Sequence, residues 1–245
     1  PPNRSGVYSA GNGPAMRVAL IGAIFAQDRE RRLAYVAAST RITHTDPKAL
    51  IGATAIAELA AWIVRDRLEC RPAPDAFTAL LRSCGSRDPE WLTIVATIDR
   101  AARSGCSVAE LADRLGLSKG VTGYIYHTVP VAAYAWFRHC GDFRQTLTAV
   151  LDCGGDTDTT GAIAGALAGA TVGEEGIPEE WRAGVTDWPR SIPLLRALAG
   201  RLAAVATTGQ PTAPVRYCWP AIPLRNLVFL LIVLAHGFRR LLPPY

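Results

Sequence analysis

From Gly161 to Ala170 the chain reads Gly-Ala-Ile-Ala-Gly-Ala-Leu-Ala-Gly-Ala, and only Ile163 and Leu167 are larger than alanine. Alanine is the strongest helix former, so a helix is predicted over 159–172 despite its glycines. Its near-absence of side-chain bulk lets neighbouring backbones approach closely, which places it at the centre of a domain rather than at an edge. A chain of 245 residues, 49% hydrophobic and 19% charged, has the length and composition to build a sizeable core around it.

The rest of the sequence supplies helices to surround it. Helical spacing of apolar residues is predicted over 15–26, 28–40, 49–67, 76–82, 89–103, 107–115, 130–139, 142–151, 178–183 and 191–204. In the second of these, Arg29, Glu30, Arg31 and Arg32 are expected outside, with Leu33, Val36 and Ala37 inside. Pro47 suits the first turn of the third helix. Ser107 with Glu110 three residues on makes a capping-box pattern. No internal repeat and no strand-like alternation is present, so the expected class is all-α. The stretch 207–214 (Thr-Thr-Gly-Gln-Pro-Thr-Ala-Pro) reads as a linker, which divides the chain into a domain over 1–205 and a linker with an apolar helix over 206–245. The apolar window 227–235 is about half the length of a membrane span, so a docked terminal helix with no transmembrane span is expected, membrane attachment being the alternative.

The chemistry-bearing motif stands just before the small-residue helix. Gly154-Gly155-Asp156-Thr157-Asp158-Thr159-Thr160-Gly161 puts two carboxylates and several hydroxyls at one helix start, after glycines that permit a sharp turn. Carboxylate and hydroxyl oxygens at this spacing suit Mg²⁺; the competing reading is an elaborate N-terminal cap. A dehalogenase-type nucleophile loop needs a preceding buried strand, where this chain has a predicted helix. An EF-hand loop needs further acidic ligands, and 163–170 has none.

The run 154–181, which ends Ile177-Pro178-Glu179-Glu180-Trp181, resembles the C-terminal signature of the ADP-ribosylglycohydrolase family. Ser9-Ala10-Gly11-Asn12-Gly13-Pro14-Ala15-Met16-Arg17 and Thr43-His44-Thr45-Asp46-Pro47 resemble two further motifs of that family. Gly123-Tyr124, Thr128-Val129-Pro130 and Gly141-Asp142-Phe143 follow in order, so the resemblance covers about residues 5–205. It implies an orthogonal all-α bundle with a binuclear Mg²⁺ site, and hydrolysis of the glycosidic bond that joins ADP-ribose to a protein side chain or small molecule. Matched residue by residue, it implies Asp156, Asp158 and Thr159 as metal ligands, and Ser9, Gly11, Asn12, Gly13 and His44 as contacts to ADP-ribose. Read from the residues alone, Gly11-Asn12-Gly13 is a plain turn or a phosphate-approaching loop, His44 is a cap or a ligand contact, and Tyr124 is a buried aromatic.

The family's earlier motifs have no counterpart here: a Gly-Asp-x-x-Gly element, an acidic residue implicated in catalysis, and a Thr-Asp-Asp cluster that forms the other half of the metal site. The resemblance therefore implies an N-terminally truncated domain, no identifiable catalytic residue, impaired activity of the isolated chain, and a complementing N-terminal segment as a partner. A non-catalytic ADP-ribose-binding relative is the alternative.

Residues 107–121 also resemble a helix-turn-helix, but Gly123 and Pro130 are expected to break any recognition helix, so no nucleic-acid partner is expected. The net charge of +5 would suit an anionic ligand without requiring one. Six cysteines without a CxxC pair are expected as free thiols in a reducing cytoplasm. The polar start Pro1-Pro2-Asn3-Arg4-Ser5 lacks the apolar stretch of a signal peptide.

Overall fold

The structure, a computed structural model, describes residues 5–241; the opening Pro1-Pro2-Asn3-Arg4 lies outside them. The described residues form twelve helices: α1 (Ala15–Ile24), α2 (Arg29–Arg41), α3 (Pro47–Asp66), α4 (Pro74–Cys84), α5 (Pro89–Ser104), α6 (Val108–Arg114), α7 (Ile125–Arg138), α8 (Phe143–Leu151), α9 (Thr157–Val172), α10 (Glu179–Ala183), α11 (Ile192–Thr208) and α12 (Ala221–Arg239). No strand occurs among the described residues, only isolated bridges, and the class is all-α as expected. Two compact units form, one extending to Pro178 and the other beginning at Glu179.

In the first unit the small-residue helix α9 packs against α1, α3, α7 and α8. Its glycines receive α8 directly: a Cβ at Gly165 would sit 3.6 Å from Leu147 and 3.9 Å from Phe143, at ordinary contact distance. The closest approach is between α1 and α3, where a Cβ on Gly22 would fall 2.2 Å from the carbonyl oxygen of Ala57. Between α3 and α5 runs α7, whose side chains from Val129 to Phe137 are all buried. Trp91, Trp136, Tyr126, Tyr134 and Phe77 fill the core.

Helix starts follow the capping chemistry. Asp28, Asp46, Asp88 and Asp142 are N-caps whose carboxylates accept from the backbone N–H of Arg31, Lys48, Trp91 and Gln145 at 2.8–3.0 Å. Ser107 and Glu110 form the expected capping box.

Three expectations are corrected. Arg32 points inward, not outward: it is 2% exposed, bonds Glu58 through Nε and Nη2 at 3.2 and 3.0 Å, and donates to the carbonyl oxygen of Phe25 at 2.6 Å. A guanidinium with that many acceptors can be buried where an unpaired charge could not. The second correction is α7, which starts at Ile125 and carries Pro130 inside it, so the proline costs one ladder bond without ending the helix. The buried side chains of α7 leave no exposed recognition helix after α6, which removes the helix-turn-helix reading on different grounds from those expected. The third is the tail: within its own unit α12 buries only Ala221, where a helix docked there would bury an apolar stripe. All six cysteines are free thiols.

Candidate functional site

Three loops meet at the start of α9. The Val121–Tyr124 segment lies between them and is paired on both sides by backbone bonds. On one side Val121 N–H donates to Gly154 O at 3.0 Å, and Asp156 N–H donates to Val121 O at 2.7 Å. On the other, Asn12 N–H donates to Gly123 O at 3.0 Å, and Ile125 N–H donates to Ala10 O at 2.9 Å. Residues far apart in sequence are thereby held side by side.

Gly155 makes the first pairing possible. Its φ is +80°, and a Cβ there would fall 2.0 Å from Val121 O. No side chain fits, which is why a glycine stands at this turn.

The Thr159 N–H of α9 bonds Asp158 Oδ1 and also favours the charge of Asp156, which occupies the N-cap position without a regular side-chain cap bond. Asp156 Oδ2 accepts from Asn12 Nδ2 at 2.6 Å. The other amide hydrogen of Asn12 goes to Thr128 Oγ1 at 2.9 Å, and Thr128 donates onward to Thr122 O at 3.0 Å. Asn12 is 9% exposed, and Thr128 is fully buried. Burial is the largest influence on Asp156 and opposes its charge, but the Asn12 amide and then the neighbouring Asp158 and Thr159 groups outweigh it. Its carboxyl is held below the usual range. Asp158 Oδ1 accepts from Thr159 N–H at 2.8 Å, and the Asp158 side chain is exposed. The Thr160 hydroxyl donates to Asp156 O at 2.6 Å, so it ties down the turn and faces no ligand.

Gly11, Gly13 and His44 form the second wall. A Cβ on Gly11 would meet His44 Nε2 at 2.7 Å, and one on Gly13 would meet His44 Cε1 at 3.2 Å; Ser9 Oγ lies 3.6 Å from the same point above Gly11. His44 is held there by Val7, whose N–H donates to Thr43 O at 3.0 Å and whose carbonyl accepts from Thr45 N–H at 2.9 Å. Burial, then the charge of Arg17, lowers the His44 pKa, so the ring is neutral at neutral pH. Arg17 donates to Thr43 Oγ1 at 2.6 Å, and Thr43 Oγ1 lies 2.8 Å from His44 Nδ1. With the hydroxyl hydrogen on that Nδ1, the assigned tautomer carries its proton on Nε2.

The structure therefore brings Ser9, Gly11, Gly13 and His44 together, and joins Asn12 to Asp156. Sequence reasoning missed two supports. Thr128 completes the Asn12 amide, and Arg17 straps the Gly13 loop to α2 by donating to Gly13 O at 3.0 Å and Ser39 O at 2.8 Å. Neither could be read from spacing, since Thr128 lies 116 residues from Asn12 and Ser39 lies 22 from Arg17. Tyr124 is half-buried rather than buried; its hydroxyl accepts from Lys48 Nζ at 3.0 Å and donates to Glu90 Oε1 at 2.7 Å.

Asp156, Asp158 and Thr159 are hard oxygen donors, and Asp156 Oδ2 is already oriented from behind by an amide. They fit part of the shell of one divalent cation whose remaining positions are water. No cluster of three or more acidic, histidine or cysteine side chains is found among the described residues, so two adjacent cations would lack neutralising charge.

The family model described as ADP-ribosylglycohydrolase matches residues 1–212. An uncharacterized protein of Archaeoglobus fulgidus is 33% identical over 186 residues, covering 75% of this chain and 56% of its own length. ADP-ribosyl-[dinitrogen reductase] glycohydrolase of Rhodospirillum rubrum is 37% identical over 84 residues, 32% of this chain and 28% of that protein. ADP-ribosylhydrolase ARH3 of Bos taurus is 26% identical over 208 residues, 73% and 54% of the two chains. Among solved structures, an ADP-ribosylglycohydrolase-related protein complex superposes with a TM-score of 0.55 at 25% identity, over 82% of this chain and 60% of that one. The chain spans about half the length of the curated relatives that it matches most extensively. On the family match and the shared all-α architecture, the chain belongs to the ADP-ribosylglycohydrolase family.

Proposed function

We propose that the chain is a Mg²⁺-dependent hydrolase of ADP-ribosyl linkages that acts on an ADP-ribosylated protein or small molecule. The observation that carries this reading is the Asp156 carboxylate, which stands at a helix start without a regular cap bond, is held by Asn12 and is kept charged. A carboxylate so placed beside Asp158 and Thr159 is suited to ligate a cation.

In this reading the missing side chains of Gly11 and Gly13 let their loop close on His44, whose Nε2–H donates to a pyrophosphate, and Ser9 supplies a hydroxyl at the rim. Asn12 spends both amide hydrogens on Thr128 and Asp156, so it orients the metal ligand and does not touch phosphate through its amide. Asp156, Asp158 and Thr159 would hold the cation. When bound, it supplies positive charge for ribose hydroxyls and makes a coordinated water more acidic. Because two carboxylates neutralise one cation and not two, we expect the isolated chain to hydrolyse slowly. The same charge shortfall favours one alternative, a non-catalytic ADP-ribose binder.

Calorimetric titration with ADP-ribose, with Mg²⁺ and with chelator, separates these readings. The hydrolase reading predicts binding that strengthens with Mg²⁺ and weakens in Asp156→Asn. Equal affinity with and without the cation supports the non-catalytic binder, and no binding in either condition rejects both.

A further inference from the structure

Most of unit 2, the segment beyond Asp187, carries charge of one sign. After Asp187 the sequence contains seven arginines and no acidic residue, giving +7 over 188–245 against +5 for the whole chain. Within that segment, α12 has eight consecutive apolar side chains from Leu227 to Leu234, each between 45% and 60% exposed. Successive helical residues step by about 100°, so eight of them circle the axis more than twice. No side of this stretch is polar, and none of its eight side chains is buried. A helix bound in a protein groove or in a two-stranded coiled coil needs only one apolar stripe and keeps a polar face for water. A helix apolar all round fits a surrounding apolar medium.

The dimensions and the ends agree with that. Nineteen residues of helix span about 28 Å, close to the roughly 30 Å of a bilayer's hydrocarbon core. Tyr217 and Trp219 stand exposed just before α12, where aromatic rings favour the membrane–water interface. Arg225 lies one turn into the helix, pairs with Asp187 and stacks over Phe229 at 5.8 Å, within reach of the interface by extending its stem. His236, Arg239 and Arg240 close the other end, placed for anionic headgroups. Helix α3 is also long and apolar, but its apolar residues are in the core, so α12 stands apart.

We propose that α12 is a membrane anchor immersed in an anionic phospholipid bilayer. The test is flotation of the full chain with phosphatidylcholine vesicles containing phosphatidylglycerol, followed by alkaline carbonate extraction. The parent chain is expected to float and to stay with the vesicles through carbonate. Leu230→Arg combined with Val233→Arg is expected to lower the floated-to-soluble ratio by at least about tenfold while leaving the circular-dichroism melt of the first unit unchanged. Three results overturn the anchor: a parent chain that remains soluble with every vesicle, one that carbonate releases, or a double variant that floats as well as the parent. A detergent-free parent chain that is a discrete oligomer, and becomes a monomer in the double variant, would assign α12 to a second copy instead.

Discussion

Asn12 Nδ2 donates to Asp156 Oδ2 at 2.6 Å across 144 residues of sequence, and this bond holds a carboxylate at an N-cap position that makes no regular cap bond. The four aspartates that cap α2, α3, α5 and α8 set the contrast, because each bonds an N–H of its own helix. Removing the Asn12 amide frees Asp156 to swing back toward the α9 amides. Asn12→Ala is therefore expected to weaken cation binding and to cost about 2 kcal/mol, since Thr128 and Asp156 both lose a buried donor. Thr128→Val should weaken binding less, because Asn12 keeps its bond to Asp156. Chemical denaturation with a cation titration checks both; unchanged cation affinity in Asn12→Ala would show that Asp156 needs no support.

The glycine pair before Asp156 gives a graded test. Gly154 has φ +67°, and a Cβ added there would meet nothing within 4 Å, whereas Gly155 at φ +80° would place its Cβ 2.0 Å from Val121 O. Gly154→Ala is expected to cost about 1–2 kcal/mol from backbone conformation alone. Gly155→Ala should exceed about 3 kcal/mol, because it also breaks the pairing that holds the Asp156 loop against Val121. Equal melting temperatures for the two variants would contradict the close approach.

Arg32, which sequence periodicity assigned to the surface, forms a buried pair with Glu58. Arg32→Met leaves Glu58 at 12% exposure without its bidentate partner and should cost about 3–5 kcal/mol. Replacing both residues with apolar ones should restore part of the loss. A cost below about 1 kcal/mol for Arg32→Met would mean that the pair is solvated in solution.

Acidification should destabilise the fold before its carboxylates titrate. His44, His127 and His139 all have pKa values lowered from 6.5, with burial the leading cause at each; Arg17 adds at His44 and Arg138 at His139, while Glu90 opposes at His127. The unfolded chain takes up protons near 6.5 that the folded chain refuses, so stability falls as pH falls below that value. Tm is expected to be flat above about pH 7.5 and to decline from about pH 6.5 toward 5, with a shallower decline in His44→Asn. A Tm that does not move across this window would rule out neutral buried histidines.

The sequence read alone makes the centre of the fold legible, and much less of the contacts around it. The Gly-Ala run of α9 announces a close-packed central helix because side-chain volume acts locally. Ser107 with Glu110 announces its helix start for the same reason. Which aspartate caps its helix in the regular way and which is held by Asn12 depends on a residue 144 positions away, and no pattern near Asp156 encodes that. The inward turn of Arg32 depends likewise on Glu58, and the start of α7 at Ile125 depends on burial strong enough to override Pro130. The gathering of Gly11, Gly13 and His44 was legible only through family resemblance, since their contacts are made by backbone bridges at Val7 and Tyr124.

On the proposed function, Asp156 is held for a cation rather than used to cap α9. The direct measurement is Mn²⁺ titration by electron paramagnetic resonance on the parent chain, Asp156→Asn and Asp142→Ala, with melting curves for all three. The account predicts at least about tenfold weaker binding in Asp156→Asn with little change in stability, and intact binding in Asp142→Ala with a loss of about 1 kcal/mol. Parent-like Mn²⁺ binding in Asp156→Asn, together with a stability loss matching that of Asp142→Ala, would contradict it.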